Sequence, residues 1–421
     1  MLPNHRPSDP RSHAERGVLG LSSPRSGSAD GQPLAAGLIS PSRAGATNRG
    51  RVLEVLHRGG PASRSDLARK LGVSRATVAT IVQPMIDAGL LIEDGPVASS
   101  KSGGKPARPL WFSHDGPLLG SVQIGPNSAT AAIIGIDGTI RARSDVSYRG
   151  DASSDSLAAA ITRITDECFG GQNLMGVGVA SSGMVDTDSG HIISMYLTPG
   201  FDGMGVGEML EARLGVPVVV DHHPRVQAVG DRWFGLAREI PDFASVYTGE
   251  ALGFGIFYRG KVLRGPAGAG GESGHTVVDA RGIVCRCGRQ GCWETIATLT
   301  WLQQEAISRS LPNPAETTSE SLSRLAEAGS TAAEGLLDDY ARNLAIGMAN
   351  NELILASGTY IMHGDVCGGG TLLRESLQRW LAEFSPGRGP APSVMFADTP
   401  DTSTLLGGGG LVLASAFSGA A

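Results

Sequence analysis

The spacing of apolar and polar positions divides this 421-residue chain into three parts. Residues 1–47 are rich in Pro, Ser, Gly and Arg and show no sustained periodicity, which predicts a disordered tail. Residues 48–112 show short helical spacings that are broken by glycines. From residue 113 onwards, short apolar runs alternate with glycine turns and helix-like stretches, and this mixture predicts an α/β fold.

The second part of the chain predicts three short helices, each with an apolar face and a glycine at its end. Ser63 and Ser74 precede the second and third helices as N-caps, and Pro84 predicts a kink in the third helix or its early end. Two short helices around a glycine-containing turn predict a helix-turn-helix. The inward residues are Val52, Leu53 and Leu56, then Leu67, Ala68 and Leu71, then Val78, Ile81, Val82 and Met85.

A wing is predicted after the third helix. Residues 90–92 and 110–112 have the apolar character of two short strands. The loop between them, from Gly95 to Arg108, also carries Lys101 and Lys105. A basic loop beside a recognition helix contacts backbone phosphates or the minor groove, so we expect Lys101, Lys105 and Arg108 to contact DNA.

The helix starts supply the other expected DNA contacts. Ser74, Arg75 and Thr77 point outward at the start of the third helix, where residues of this motif reach base edges. Ser63 and Arg64, at the start of the second helix, are better placed for phosphate. The alternative interpretation of the whole block is a small helical module that binds another protein.

The charge distribution favours the DNA-binding interpretation. The net charge of the chain is −6, but residues 1–47 carry +2, residues 48–112 carry +5 and residues 113–421 carry −13. A small basic block beside a large acidic body indicates that one domain meets a polyanion. No apolar run approaches the roughly 18 residues of a membrane span, and Met1–His13 lacks the apolar segment of a secretory signal. We therefore expect a cytoplasmic protein that does not enter a membrane.

The acidic body begins with several predicted strands and one long helix. The strand segments are separated by glycine or Asp-Gly turns, and the helix lies between the second and third strands. The predicted strands are Leu119–Gly125, Ala129–Ile136, Met175–Ala180 and Val216–Val220, and the predicted helix is Ser154–Phe169.

A cysteine cluster carries the strongest chemical signal in the body. Three of the five cysteines fall within eight residues, in the string CRCGRQGCWE, and a histidine lies ten residues upstream in the string GESGH. Thiolate and imidazole groups at this loop spacing suit a tetrahedral zinc ion. Four protein ligands would leave zinc no open position, so its role would be structural. The alternative is three reduced thiols in a loop.

These strings resemble the zinc signature of the ROK family, which groups transcriptional repressors and sugar kinases. The resemblance implies a two-lobed actin/hexokinase-like (ribonuclease H-like) domain, and the N-terminal winged helix is typical of the repressor branch. It implies lobe 1 at residues 113–221, completed by residues 400–421, and lobe 2 with the zinc loop at residues 222–399. It also implies that His275, Cys285, Cys287 and Cys292 bind zinc, and that Glu272, His275 and Glu294 reach sugar hydroxyls.

The resemblance also shows where this chain departs from the sugar kinases. In the family's register, His222 replaces a sugar-binding Asn and His223 replaces the catalytic Asp. The first phosphate turn reads Gln123–Asn127, with Pro126 in place of a residue that has an N–H. The second turn, Gly249–Gly255, contains Glu250, and the adenosine-side turn reads His363-Gly364-Asp365. We therefore expect no kinase activity and no enzyme.

Taken together, these features predict a DNA-binding transcriptional regulator of the ROK type that represses at a palindromic operator as a homodimer or tetramer. A sugar or sugar-derived effector is expected at His222, His223, Glu272, His275 and Glu294. An anionic ligand such as a sugar phosphate or acid, or the loss of small-molecule control, are alternatives for this site. A sugar kinase with an added DNA-binding domain and a scaffold that docks a protein partner are the alternatives for the whole chain.

Overall fold

A winged helix forms the start of the structure, as predicted. The computed structural model describes residues 41–93, 108–385, 387, 389–398 and 402–418. Three helices and a three-stranded antiparallel sheet of order β1-β3-β2 make up the winged helix. Its elements are α1 (Pro41–Gly59), β1 (Ala62–Ser63), α2 (Arg64–Leu71), α3 (Arg75–Asp87), β2 (Leu91–Glu93) and β3 (Pro109–Phe112).

Two sequence expectations about this domain need correction. Helix α1 begins at Pro41, so residues 41–47 are helical and do not belong to the predicted disordered tail. Residues 1–40 of that tail lie outside the described residues. Pro84 does not end α3, because the helix continues to Asp87 and the Pro84 carbonyl accepts a hydrogen bond from the Ala88 N–H. Proline removes only its own donor, and its carbonyl still serves the following turn.

The body contains two five-stranded sheets with the same topology. The first sheet has the order β10-β7-β4-β5-β6, in which β4, β5 and β6 are antiparallel neighbours and β4, β7 and β10 run parallel. Four elements of this region, β6, β8, β9 and α5, carry no sequence prediction, and β8 pairs with β9 in a separate two-stranded sheet. The elements are β4 (Leu118–Ile124), β5 (Ser128–Ile134), β6 (Ile140–Ser147), α4 (Ser154–Phe169), β7 (Leu174–Ser181), β8 (Met184–Asp186), β9 (His191–Ser194), α5 (Val206–Leu214) and β10 (Val218–His222).

The second sheet repeats this arrangement in the order β13-β12-β11-β14-β15. Its first three strands are antiparallel neighbours, while β11, β14 and β15 run parallel. This duplication confirms the predicted two-lobed actin-like α/β architecture. The elements are α6 (His223–Trp233), β11 (Phe243–Thr248), β12 (Leu252–Tyr258), β13 (Lys261–Val262), α7 (Leu299–Ser308), α8 (Ser319–Glu327), α9 (Thr331–Leu355), β14 (Thr359–Gly364), α10 (Asp365–Gly368), α11 (Gly370–Phe384), β15 (Ser393–Phe396) and α12 (Ser403–Ser418).

Each of the two large sheets has its own hydrophobic core, and a further buried cluster joins the winged helix to the body. The second sheet packs against α9 and α11, and the first sheet against α4. The winged helix shares one buried cluster with the body, in which Val52 and Leu56 of α1 join Leu119, Ile134 and Leu413. None of the helices in the described residues is both long and apolar enough to cross a membrane.

Helices α6 and α12 lie against each other between the two sheets. Residues 223–232 of α6 are buried on every side of the helix. Glycines allow this close approach, since a Cβ on Gly230 would overlap the Ser403 carbonyl oxygen and one on Gly407 would overlap the Val226 carbonyl oxygen. On the far side of α6, a Cβ on Gly255 would overlap the Pro224 carbonyl oxygen. Backbone therefore meets backbone on two sides of α6.

We expect Gly407→Ala to destabilise the protein, because its methyl group has to displace the backbone of α6. Overpacking of this kind typically costs about 1–3 kcal/mol. The measurement is the free energy of unfolding from urea denaturation, with circular dichroism as the probe. The expected change is a lower midpoint without a change in slope.

Gly409→Ala is the matched control, because it makes the same change in the same helix. The nearest atoms to its new Cβ are the side-chain ends Ile134 Cδ1 and Leu119 Cδ1, both at 3.3 Å. Alanine also has the better helix propensity, by about 1 kcal/mol. Equal destabilisation by the two substitutions would contradict the idea that backbone contact with α6 sets the cost.

Candidate functional site

The candidate cleft lies at the carboxyl ends of the parallel strands in the first sheet. Ile124 of β4 pairs with Ser181 of β7, and Ser181 pairs with His222 of β10, so three strand ends are level. In open α/β sheets, ligands bind at such strand ends. His222 is the last residue of β10 and His223 is the first of α6, so both predicted ligand residues lie at this edge.

The two histidines have different surroundings. The His222 Nδ1 atom is 3.4 Å from Glu272 Oε1, and both side chains keep part of their surface exposed. His223 is buried, and its ring meets Tyr247 edge-on with the ring centroids 4.9 Å apart. His222 is therefore the histidine of the pair that is open to a ligand, with Glu272 beside it.

A buried charge network underneath these histidines escaped the sequence analysis. The Asp221 carboxylate is 1% exposed and accepts hydrogen bonds from Arg225 Nε and Arg264 Nε, both at 2.6 Å. Arg225 also donates to the Gly270 carbonyl oxygen at 2.9 Å. A buried charge needs such pairing to offset its desolvation. The available signal was the spacing of Asp221 and Arg225, which carry opposite charges four residues apart directly after the apolar run 216–220.

The four predicted zinc ligands come together in one cluster. The ligand atoms of His275, Cys285, Cys287 and Cys292 all lie within 4.8 Å of one another. Within the described residues, this is the one cluster of three or more potential metal ligands that contains cysteine. The Cys287 and Cys292 sulfurs are 3.6 Å apart, as are Cys285 Sγ and His275 Nδ1. Sulfurs bound to tetrahedral zinc at about 2.3 Å are about 3.8 Å apart. The donors therefore fit a tetrahedral metal ion.

The thiol chemistry agrees with this fit. Burial, followed by the neighbouring thiols, raises the pKa of Cys292 to about 12, and burial also raises the pKa of Cys285. Thiols in this setting ionise when a cation is present to compensate the charge, and metal binding releases their protons. The cluster can accordingly hold a metal ion through His275 and three thiolates.

Helix α9 anchors the loop that carries this cluster. The Ser273 hydroxyl is hydrogen-bonded to Asn351 Oδ1 at 2.9 Å, and the Trp293 Nε1–H donates to the Asn343 carbonyl oxygen at 2.8 Å. The Trp293 ring is fully buried against Gly347, where a Cβ would overlap it. The two predicted sugar-binding carboxylates, Glu272 and Glu294, are direct neighbours of Ser273 and Trp293, so these anchors fix their positions.

Glu272 carries a negative charge toward the cleft. Burial opposes its ionisation, but the hydrogen bond from His222 and the electrostatic effects of His222, Arg225 and His275 outweigh burial and lower its pKa. The carboxylate thus stays ionised and can accept hydrogen bonds from a ligand.

Glu294 is already engaged by an arginine that the sequence analysis did not single out. Arg286 Nε and Nη2 donate to the two Glu294 oxygens at 3.0 and 2.8 Å, and the Leu252 N–H donates to Oε2 at 3.3 Å. Arg286 also lies over the Tyr196 ring, 5.8 Å from its centroid. A ligand that uses Glu294 therefore has to share this carboxylate with Arg286.

The first phosphate-like turn, at Gln123–Asn127, is tied into the first sheet. The Tyr148 hydroxyl donates to the Gly125 carbonyl oxygen at 2.6 Å, and the Thr198 hydroxyl donates to the Pro126 carbonyl oxygen. Pro126 has no N–H to offer, and phosphate cradles need such donors. The turn presents no carboxylate where a magnesium ion would be held.

The other two turns, the second phosphate turn and the adenosine-side turn, also differ from those of the sugar kinases. Gly249–Ala251 form the tight turn between β11 and β12, with the Glu250 side chain exposed. On the adenosine side, the Asp365 carboxylate accepts hydrogen bonds from the Ser319 N–H at 3.2 Å and from its hydroxyl at 2.5 Å. His363 is fully buried, 2.8 Å from the Asp231 carboxylate. These side chains serve the protein's own packing.

The candidate DNA-reading face is the exposed start of α3. The Ser74 hydroxyl accepts the Thr77 N–H at 3.0 Å and caps the helix, while Ser74, Arg75 and Thr77 all stay exposed. Arg75 has no ion-pair partner in the part of the chain that the structure describes. Thr80 and Gln83 extend this exposed face along the helix, which the sequence analysis did not note.

The two residues expected to contact phosphate from α2 have other tasks in the structure. The Ser63 side chain is buried and forms a capping box, in which its hydroxyl donates to Asp66 Oδ2 at 2.7 Å and accepts the Asp66 N–H. Arg64 pairs with Glu93 of β2. Capping and ion pairing thus already use these groups, and the phosphate contacts of Ser63 and Arg64 stay predictions. Arg108 is exposed, and Lys101 and Lys105 lie outside the described residues.

Comparisons with known proteins cover both parts of the chain. Residues 119–415 match the ROK family, and residues 47–97 match the MarR family. A putative xylose repressor from Caldicellulosiruptor sp. (strain Rt8B.4) is 26% identical over 336 residues, which cover 75% of this chain and 82% of that protein.

Two solved structures share the fold. A ROK family transcriptional regulator, a homolog of the E. coli MLC protein, aligns with a TM-score of 0.78 and 22% identity over 90% of this chain and 98% of its own. A ROK family glucokinase from Streptomyces griseus, in complex with glucose and AMPPNP, aligns with a TM-score of 0.61 and 24% identity over 70% of this chain and 98% of its own. The regulator thus extends over the winged helix, and the family match spans both sheets and the loop that carries His275 and the three clustered cysteines. This chain belongs to the ROK family.

Proposed function

We propose that this protein is a sugar-responsive, DNA-binding transcriptional repressor that acts in the cytoplasm. The observation that carries the proposal is the combination in one chain of a winged helix, with its exposed Arg75 face, and a two-lobed body whose phosphate-side turns are lost. The similarity to a xylose repressor over most of both chains supports the same function. A homodimer or tetramer would present two winged helices to a palindromic operator.

The effector site that we propose lies at His222, Glu272 and the zinc loop. His222 offers a ring nitrogen and Glu272 an ionised carboxylate, a donor and acceptor pair that suits sugar hydroxyls. His223, His275 and Glu294 are the remaining residues of the proposed site. Each is held by a neighbour: His223 packs against Tyr247, His275 lies in the cysteine cluster, and Glu294 pairs with Arg286. A neutral sugar or a sugar derivative is the ligand class that this set favours.

The kinase alternative has less support. The Streptomyces griseus glucokinase shares the fold of the body, so sugar phosphorylation is the natural second candidate. Phosphoryl transfer requires phosphate donors, a magnesium site and a base near the sugar hydroxyl. Here Pro126 lacks an N–H, Asp365 binds Ser319, and His223 is buried against Tyr247. We propose that the chain does not phosphorylate sugars.

We further propose that His275, Cys285, Cys287 and Cys292 hold a structural zinc ion. A bound zinc ion supplies a rigid four-way crosslink, and these four ligands leave it no open position. Hydrogen bonds from Ser273 and Trp293 attach the same loop to α9, so a crosslinked loop would also be fixed relative to this helix. The metal would then stabilise the positions of Glu272 and Glu294.

Arg75→Ala should relax base preference at one position in each half-site of the operator. An arginine that binds guanine contributes about 1–3 kcal/mol of discrimination, or roughly 5–150-fold in affinity. The measurement is selection of bound sequences from a random duplex library, followed by fluorescence anisotropy on the selected duplex and on single-base variants.

Arg163→Ala is the control for this experiment, because Arg163 is an equally exposed arginine on α4 of the body, paired with Glu167. It should leave both affinity and base preference unchanged. If Arg75→Ala weakens binding to every sequence equally, Arg75 contacts phosphate and does not read a base.

Cys287→Ala should reduce the zinc content from about one ion per chain toward zero and lower the thermal midpoint by several degrees, because structural zinc contributes directly to folding. Zinc is measured by mass spectrometry of the purified protein. Cys168→Ala is the matched control, since Cys168 is a cysteine of α4 outside the cluster. Retention of full zinc content by Cys287→Ala would disprove the ligand assignment.

Thermal-shift titration tests the effector class. The panel contains xylose, glucose, amino sugars, sugar phosphates and sugar acids, each with and without magnesium-ATP. Binding to the folded state raises the midpoint, so one carbohydrate should stabilise the protein and lower its operator affinity. Glu272→Gln should weaken that stabilisation.

A rise that requires magnesium-ATP, together with sugar phosphate formation, would favour the kinase alternative. No shift with any compound would mean that His222 and Glu272 do not form an effector site, and a protein partner would then be the better candidate for control.

A further inference from the structure

Helix α6 connects the candidate effector cleft directly with the winged helix. His223 begins α6 at the cleft, and Trp233 ends it beside α1. An 11-residue helix spans about 16 Å. One buried helix therefore separates the two functional regions.

The winged-helix end of α6 forms a ring contact around His57. The His57 ring lies 5.0 Å from Trp233, 5.3 Å from Phe234 and 6.2 Å from Phe112, each edge-on. Arg238, just beyond α6, donates to the His57 carbonyl oxygen at 3.3 Å. We call His57, Trp233 and Phe234 the α1–α6 joint.

The His57 ring in this joint is buried and uncharged. His57 is 5% exposed, and burial, followed by the charge of Arg238, lowers its pKa to about 4. The ring is therefore neutral at cytoplasmic pH and packs as an aromatic group. Phe112 belongs to β3 of the wing, so the same ring also touches the sheet that supports the wing.

Helix α6 has little freedom to bend between its ends. At its start, Arg225 binds Asp221 and Gly270; near its end, the Asp231 carboxylate is bonded to Ser245 of β11 and lies 2.8 Å from His363 Nε2 of β14. The glycine contacts with α12 and β12 leave no space for sideways movement of its backbone. Packed interiors of this kind transmit displacement because they are not compressible.

Helix α12 is packed against α6 just as closely. Gly230 and Gly407 hold the two backbones together, and Leu413 of α12 lies in the buried cluster that contains Val52 and Leu56 of α1. Any movement of α6 along its axis therefore reaches α1 at two points, through the joint and through α12. Helix α1 packs on α3, which carries Arg75.

We propose that α6 is the rigid element that transmits occupancy of the cleft to the winged helix, and that the α1–α6 joint is where the winged helix receives it. This inference rests on the proposed function, in which the cleft binds the effector and α3 reads DNA. A ligand that changes the position of His222, which directly precedes α6, shifts α6, and the ring contacts carry the shift to α1. Differential binding of the ligand to the two positions of α6 sets the size of the response.

A double-mutant cycle tests the proposal without requiring the effector. His223→Ala perturbs the cleft end of α6, and Trp233→Leu loosens the joint; both single variants and the double variant are compared with the unmodified chain. The readouts are the dissociation constant for the selected duplex and the amide hydrogen exchange of residues 53–59 in α1. Residues this far apart normally combine additively within about twofold, whereas we expect a departure of about fivefold or more.

Trp301→Leu provides the matched control for loss of a tryptophan. Trp301 lies on α7, is partly buried like Trp233, and stacks on Tyr340 in the core of the second lobe, far from α1 in the packing. Paired with His223→Ala, it should combine additively in both readouts. Circular dichroism and thermal midpoints verify that each variant is folded.

The outcomes separate this inference from the proposed function. Non-additivity for His223 with Trp233, together with additivity for His223 with Trp301, supports transmission through α6. Additivity for both pairs, or an unchanged α1 exchange in His223→Ala, overturns it. If no duplex is bound at all, the DNA-binding proposal fails, and amide exchange in α1 still decides whether α6 transmits the change at the cleft.

Discussion

Close packing of α6 against α12 is the constraint on which the rest of this structure depends. The backbones meet at Gly230 and Gly407 without room for a single Cβ. Each helix also faces one of the two sheets, since Pro224 of α6 lies against Gly255 of β12 and Gly408 of α12 lies against Gly178 of β7. The two lobes are thereby held through one pair of helices, and α6 begins at the strand ends where the candidate site lies.

The candidate site is built on this frame from two directions. The first sheet and α6 supply His222 and His223, supported from below by the buried Asp221 and Arg225 pair. The loop with His275 and the three clustered cysteines supplies Glu272 and Glu294 from the second lobe, and α9 anchors it. A ligand that touches both walls would have a different affinity for each spacing of the lobes, which is the physical requirement for control by an effector.

Departures from kinase chemistry fall on side chains that the protein now uses for its own packing. Asp365 binds Ser319, and the carbonyl oxygens of the Gly125 and Pro126 turn are bonded to Tyr148 and Thr198. The winged helix, in turn, is not a loosely tethered module, because α1 shares its buried cluster with β4, β5 and α12. The body thus has a first turn with no carboxylate and with Pro126 in place of an N–H donor, and it packs directly against the winged helix.

The sequence by itself determined the winged helix, the α/β class, the family and the cysteine cluster. These follow from local periodicity, from glycine turns and from ligands close together along the chain, as at Cys285–Cys292. Only the tertiary structure decided which polar groups are already engaged: Arg64 pairs with Glu93, Asp365 binds Ser319, and Arg286 binds Glu294. The tertiary structure also decided that His57 packs against Trp233, a residue 176 positions later in the sequence. Such pairings depend on how distant segments pack, and no local pattern encodes them.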